Sequence, residues 1–551
     1  MGILQYGRFI FDKELTVCNL IDKAAALYGR RPLLHFSPEL PYAGIGQGMS
    51  SGEARDFMNR ASNVLARDAG LERFDRVAIY KENAADYFLF GLAAIRAGGI
   101  AVPINGGMGK TELLRYLEYT GAAFLITDRQ RYQQLREDLD RLPALRHVLL
   151  TDGLEGNTAV LDFRRLIAGA STRFEAVVPA ADEDVLLVHT SGTTGFPKGV
   201  IHTSGSLVAG VKGQLKFRHW FSDKDVAVNA APANHFVYFL GMLSAIASNS
   251  EVWLAGDNSA RNVLALVARE RLAIVFCFPH TFISMQELGL DRYALDSVRM
   301  WMSAADSSHE AHIREFTRHG ALLRLFGKKV VGSMYVDSMG SSEVGFGAIN
   351  RFSFSFSRKF NRYIGQSSSV GPQVKIADEQ GHPVKPGTIG YFMVKGPTLF
   401  KGYWNAHDKL HGVVKDGWWR TGDIGYAKGR NAYFHLDRST DLIRTPHGDV
   451  YSLLVEEHVL KFPGVLEAVV VARDAGNGYQ EPVAFVQPGA SAAVCAADVL
   501  AWTNARLTAK DQLAGLTIVG REGIPRGLTG KVLKRTMRAP LYATLPMEMT
   551  P

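Results

Sequence analysis

Residues 188–200 read VHTSGTTGFPKGV, a run in which glycines and hydroxyl side chains surround one lysine. Glycine lets backbone come close to a ligand and take positive φ, so successive amides can converge on an anion. Thr190, Ser191, Thr193 and Thr194 add hydroxyl donors, and Lys198 adds a mobile positive charge. The chemistry this predicts is phosphate binding by Thr190, Ser191, Gly192, Thr193, Thr194, Gly195 and Lys198. Residues 185–188 are a short apolar run of buried-strand type, so the loop is expected at a strand end, where α/β proteins bind ligands. The same composition also fits a flexible connector; the order of the residues separates the two.

In that order, TSGTTGFPKG closely resembles the AMP-binding signature of the acyl-adenylate-forming superfamily, which includes acyl-CoA and aryl-CoA synthetases, luciferases and stand-alone adenylation domains. Four more stretches resemble it in the expected sequence. SMGSSEVG, at 338–345, is similar to the YGxTE segment, with Ser342 at the threonine place and Glu343 at the acid. The resemblance implies that Glu343 holds Mg²⁺ against ATP phosphates, since magnesium takes one or two carboxylates plus phosphate oxygens. Met339 stands where the family has tyrosine, replacing an aromatic stack on adenine by a thioether contact.

GWWRTGDIG places Asp423 on the aspartate that accepts both ribose hydroxyls. LDRSTDLIRTPHGDVYSLLVEE is similar to the hinge segment, implying Arg438 near the ribose and Asp441 at the pivot. Pro446 and His447 occupy positions where many CoA synthetases carry glycines, and proline fixes φ and removes a donor, so thioester formation is the step this departure bears on. IPRGLTGKVLKR resembles the terminal motif, with Lys531 as the catalytic lysine. A positioned ammonium there lowers the barrier by binding the charge that shifts onto phosphate oxygens in the transition state. SAADSS, at 303–308, resembles the adenine loop, with Ala304 and Ala305 as backbone contacts.

APANHFVYFLGML, at 231–243, aligns with the stretch bordering the acyl pocket, and His235 takes a place where acid-activating members often have an aromatic or histidine. Amino-acid-activating domains have aspartate there; without it an α-ammonium would be left unpaired. Expected acid contacts are His235, Phe236, Phe239, Tyr335, Gly340 and Phe346, although aromatics at such spacing also read as plain core. The resemblance thus implies catalysis by Lys531, Glu343, Thr194 and His235.

The elements that must position these groups follow from length and pattern. A chain of 551 residues, 47% hydrophobic, exceeds one hydrophobic core, so several domains are expected. Ser50 and Glu53 have capping-box spacing for a helix running toward Arg67. Strand-like 76–80, a helix over 87–97 and the apolar 99–104 predict one α/β layer. Strands at 226–229, 251–254, 273–278, 298–303 and 330–334, with a helix over 240–248, predict a second. Short strands over 374–394 predict a small β-barrel-like subdomain.

The fold class expected is therefore α/β: a large N-terminal domain, 1–437, of two α/β layered subdomains plus that subdomain, and a small mobile α+β C-terminal domain, 438–551. Gly106, Gly107, Gly109 and Lys110 have the wrong spacing for a Walker loop and read as a turn into a helix.

A formal charge of +8, spread along the chain, suits polyanionic ligands and lacks the clustered basic and aromatic pattern of nucleic-acid binding. Three isolated cysteines, no transmembrane-length segment and an amino terminus broken by charges give a cytoplasmic expectation without an integral membrane segment. The function expected is activation of an apolar, bulky carboxylic acid with ATP and Mg²⁺ to acyl-AMP, followed by transfer to coenzyme A. A single retained half-reaction, loading of a carrier-protein thiol, or a non-catalytic AMP-binding protein stay open as alternatives, as do the oligomeric state and the acid's identity.

Overall fold

The computed structural model describes residues 3–29, 31–42, 45–153, 160–190, 196–217, 224–326, 328–406, 408, 412–476, 478–490 and 492–538. Two large mixed sheets organise the molecule. In the first, the parallel strands Arg76–Tyr80, Ile100–Pro103, Ala122–Thr127 and His147–Leu150 are nearly continuous apolar runs, as strands covered on both faces must be. The antiparallel pair Asp184–His189 and Gly199–Thr203 extends that sheet, followed by Gly402–Tyr403.

Helix Asp86–Arg96 is buried along its whole length, which its all-round apolar sequence demands. Helix Ser51–Asn63 opens with the capping box read from Ser50 and Glu53, both reciprocal bonds being made, and continues as a π-type turn over Val64–Asp68.

The second sheet has parallel strands at its centre, Val252–Ala255, Ala227–Asn229, Ile274–Cys277, Met300–Ala304 and Met334–Met339. From Ile349–Ser353 onward its strands turn antiparallel, and Tyr363–Ser367, Ala432–Arg438, Trp418–Lys428 and Gly390–Lys395 carry the β-rich segment as a continuation of the same sheet. The strand expected at 330–334 is displaced: the buried strand is Met334–Met339, preceded by a separate exposed strand, Lys328–Val331. Asp337 and Ser338 disguise it in the sequence. Asp337 is buried inside the strand because Arg351, at 2.9 Å, and the Ser308 hydroxyl, at 3.0 Å, complete it.

Beyond Ile443 the chain builds cores of its own. Strands Val465–Asp474, Gln480–Pro488 and Gly515–Ile518 form a three-stranded sheet packed by helices Ser452–Val459 and Ala496–Asn504. It meets the body through a buried polar cluster: Glu457 accepts from Arg362 at 3.1 Å and lies 3.1 Å from His309, while His312 donates to the Leu466 carbonyl at 2.8 Å. Burial pushes the Glu457 carboxyl up, but His309 and Arg362 outweigh it and hold the group well below the usual range.

Removing one partner of such a pair leaves a buried charge uncompensated. Glu457→Ala is therefore predicted to weaken docking of the C-terminal unit by about 3–5 kcal/mol. The readout is faster limited proteolysis at 439–442, with the body's unfolding midpoint unchanged.

Candidate active site

One cavity of about 910 Å³ opens between the two sheets and the C-terminal unit, and Thr190, Lys198, Glu343, Asp423, Arg438 and Lys531 all line it. The phosphate-loop sequence is flanked by two paired antiparallel strands, with Val188 opposite Val200 and His189 opposite Gly199. Thr190 closes its base: its N–H donates to the Lys198 carbonyl at 3.0 Å and its Oγ1 accepts the Lys198 N–H at 3.1 Å. Ser191, Gly192, Thr193, Thr194 and Gly195 lie outside the described residues.

Strand Gly402–Tyr403 pairs across Val200 and Ile201, which brings the Tyr403 ring to 4.8 Å from Lys198 Nζ, a cation–π contact. The Tyr403 hydroxyl donates to Glu343 Oε1 at 3.1 Å. Burial and the Glu343 charge push the phenol's pKa up, so it stays protonated as that donor. Behind Glu343, His202 donates from Nε2 to the Ser342 carbonyl at 2.7 Å and stacks on Phe236, ring centroids 4.1 Å apart. His189 is fixed as the Nδ1–H tautomer, donating to the Thr190 carbonyl and accepting the Asn105 N–H at Nε2, both at 3.0 Å.

Asp423 and Arg438 are direct cross-strand partners, the carboxylate lying 3.4 Å from Arg438 Nε. Burial raises the Asp423 pKa, but Arg438 and His435 outweigh it and keep the group ionised, with Oδ1 lying 3.3 Å from His435 Nε2. Ala304 and Ala305 line the cavity at the end of strand Met300–Ala304, and Ala305 takes φ +79°, a strained conformation for a residue with a Cβ. Met339, Gly340 and Ser342 line it from the adjoining segment.

Lys531 is delivered by the turn over 527–531, which docks on both sheets. The Leu528 carbonyl accepts from Asn105 Nδ2 at 3.4 Å, beside Gly107. Gly530, at φ +77°, lies so close to the His280 ring that a Cβ would sit 2.1 Å from Nδ1. The glycine-rich turn at 105–109 thus seats the lysine loop, while Lys110 pairs with Asp138 at 2.5 Å.

On the acid side His235 caps helix Phe236–Ser248, its Nδ1 accepting the Val237 N–H at 3.3 Å, which leaves Nε2–H as the donor it can offer a ligand. His235, Phe236, Gly340 and Phe346 line the cavity. Phe239 and Tyr335, expected as acid contacts, do not. Phe239 packs edge-on to Phe88 on the opposite side of its helix, and Tyr335 faces the second core among Phe282 and Phe316, its hydroxyl 3.3 Å from Ser308. Both correspond to the plain-core reading of an aromatic run. Asp441 donates its N–H to the Arg438 carbonyl and its carboxylate pairs with Arg538.

Tyr403, His189, His202 and His435 were not singled out from sequence. Tyr403 lies in the short stretch GYW, residues 402–404, which carries no chemical signal of its own, and the histidines show their partners only when folded. Among the described residues no cluster of three or more His, Cys, Asp or Glu could hold a metal unaided; a single carboxylate beside a phosphate hairpin fits magnesium, which keeps substrate phosphates as ligands.

A family model described as AMP-binding enzyme matches residues 21–404. A 3-aminoavenalumate diazotase of a Streptomyces species is 30% identical over 97% of this chain and 97% of its own length. A 3-hydroxybenzoate/4-hydroxybenzoate–CoA ligase of Thauera aromatica is 26% identical, with 88% and 91% covered. The anthranilate CoA ligase AuaEII, solved with anthranoyl-AMP, shares the fold at a TM-score of 0.84 and 19% identity, covering 99% of this chain and all of that one. The chain belongs to the AMP-binding enzyme family, the adenylate-forming ligases of the acyl-adenylate superfamily.

Two outcomes follow. Gly530→Ala must displace the lysine turn from His280, and a shift of about 1 Å at a reacting group costs up to about a hundredfold; pyrophosphate release should fall accordingly. Burial also lowers the pKa of His202, His235, His280 and His312 to about 4 from 6.5. Below pH 6.5 the unfolded chain takes up protons that the folded chain refuses, so this contribution to stability is complete above 6.5 and lost as pH falls toward 4. Tm measured at pH 7.5, 6 and 5 should decline stepwise; a flat profile contradicts the burial.

Proposed function

We propose that the chain adenylates a carboxylic acid and passes the acyl group to the thiol of coenzyme A. One observation supports this above the rest: the phosphate hairpin, Glu343, the Asp423–Arg438 pair and Lys531 share one cavity with an apolar extension past His235. In this reading the acid's carboxylate attacks the α-phosphorus of ATP and pyrophosphate leaves. Lys198 and the hairpin hold the β and γ phosphates. Glu343 would hold Mg²⁺ against them, and the metal supplies neutralisation of phosphate charge. Lys531 binds the charge growing on the α-phosphate and the attacking carboxylate. The neutral His235 offers a proton donor to the acid's carbonyl oxygen without a competing positive charge. After the lid turns about Asp441, CoA displaces AMP.

A second reading concerns the acceptor. The relative at 30% identity is named a diazotase, and in this chain the hairpin Ile443–Thr445 and Gly448–Val450 ends in an exposed Pro446–His447 turn closed by Thr445, whose Oγ1 donates to the Gly448 carbonyl at 2.7 Å. In this reading nitrite takes the carboxylate's place on the α-phosphorus. An aryl amine then attacks the activated nitrogen, AMP leaves with a proton lost from the amine, and the N-nitrosamine tautomerises to the diazohydroxide, which takes up a proton and loses water to give the diazonium ion.

The test is pyrophosphate release with ATP and Mg²⁺ against a panel of aryl and alkyl acids, with and without CoA, and against nitrite with aryl amines. The first reading expects acid-dependent release, acyl-CoA as product, and a loss of about 10²–10³-fold in Lys531→Ala. Release dependent only on nitrite and amine moves the assignment to the second, and unchanged turnover in Lys531→Ala removes the lysine from the adenylation step.

A further inference from the structure

The cavity does not stop at the carboxylate position. Past Ala304 it continues along one face of the second sheet, lined by Met302 and Met300 on the same strand and by Phe276 and Ile274 on the next. Side chains alternate along a strand, so these residues all face one way; from Ala304 to Met300 the slot runs about 13 Å at ~3.3 Å per residue.

The facing wall is helix Phe236–Ser248, whose residues 237, 240, 241, 244, 245 and 248 line the slot at helical spacing. Gly241, Ser244, Ala245 and Ser248 are small where a leucine would close the gap; a Cβ on Gly241 would meet only Asn229 Nδ2, at 3.4 Å. The space between this sheet face and the helix is a slot bounded by small side chains, and Met300 and Met302 line it with polarisable thioethers.

The walls turn polar toward the far end. Ser248 donates its hydroxyl to the Ser244 carbonyl at 2.7 Å and lies 2.6 Å from Ser250 Oγ. The Ser244 hydroxyl has no hydrogen-bond partner in the structure and is covered by its neighbours, while the residue lies on the slot-lining face, so a rotation about χ1 is what would present the hydroxyl to a ligand. An unsatisfied buried hydroxyl is costly unless something completes it.

Resting on the carboxylate-adenylation reading, we propose that the substrate is an elongated aryl acid with a hydroxyl or amino group remote from its carboxylate, and that Ser244 reads that group. The slot's length excludes a bare benzoate from filling it, its sulfur and phenyl lining favours a conjugated ring system, and the unpartnered hydroxyl selects a polar tip over a hydrocarbon one.

The experiment compares benzoate, cinnamate, 4-hydroxycinnamate, 4-aminocinnamate and their dienoic homologues on the full chain, by calorimetric binding and by pyrophosphate release. The hydroxy and amino acids are expected to bind and react about tenfold better than the matched acids lacking the group. Ser244→Ala should bring that ratio close to one, and Gly241→Val should exclude the cinnamate and dienoic acids while benzoate still binds. Equal binding of tipped and untipped acids, a ratio untouched by Ser244→Ala, or a preference for benzoate overturns the proposal. Absence of pyrophosphate release with every acid, alongside tip-dependent binding, overturns the adenylation reading and leaves the slot's specificity standing.

Discussion

Lys198 and Glu343 line one partly buried cavity, where a cation and a carboxylate left to themselves would close into an ion pair. Tyr403 resolves that conflict. Its ring face takes the Lys198 ammonium and its hydroxyl takes the Glu343 carboxylate, so each charge has a partner weaker than the one it would exchange for. A direct ion pair would have to be broken before nucleotide could bind, whereas a cation–π contact and one neutral hydrogen bond yield at small cost. Tyr403 is in place because a two-residue strand pairs with the hairpin that carries Lys198.

The same logic of weak, well-placed contacts extends outward. His202 and His189 are neutral, each with its tautomer set by a backbone carbonyl, so they order the Ser342–Glu343 segment and the hairpin base without adding charge to either. The Asp423 end of the cavity works the opposite way: Asp423 and Arg438 sit opposite each other on neighbouring strands, and the pairing keeps a buried carboxylate ionised. The lysine turn is held by steric fit, with a glycine laid against an imidazole and a leucine carbonyl reached by Asn105. Charges on the C-terminal unit meet the body at Glu457, Arg362 and His309, where complete burial makes the docked arrangement costly to leave.

Much of the fold was legible from residues alone, because the signals were local. The Ser50–Glu53 capping box lies within one helical turn, and the apolar runs of the first sheet declare themselves by continuous hydrophobicity. The strand Met334–Met339 was misplaced by a few residues for the opposite reason: Asp337 looks like a surface residue until Arg351, on the neighbouring antiparallel strand, is folded beside it. Phe239 and Tyr335 show the limit of reading a pocket from aromatic content, since which face of a helix or strand meets a cavity depends on what packs against the other face.

The sequence by itself determined the kind of chemistry and its order along the chain: a hydroxyl- and glycine-rich loop with one lysine, a carboxylate after it, then an aspartate, an arginine, and a glycine–lysine pair near the end. These are properties of residue type and local spacing, so they survive without coordinates. Only the tertiary structure decided which groups share one cavity, that Tyr403 stands between two of them, that Gly530 is needed because of His280, and that the slot past Ala304 is long and polar at its far end. Those facts arise from contacts between segments tens to hundreds of residues apart, and close packing of distant surfaces leaves no periodicity in a sequence.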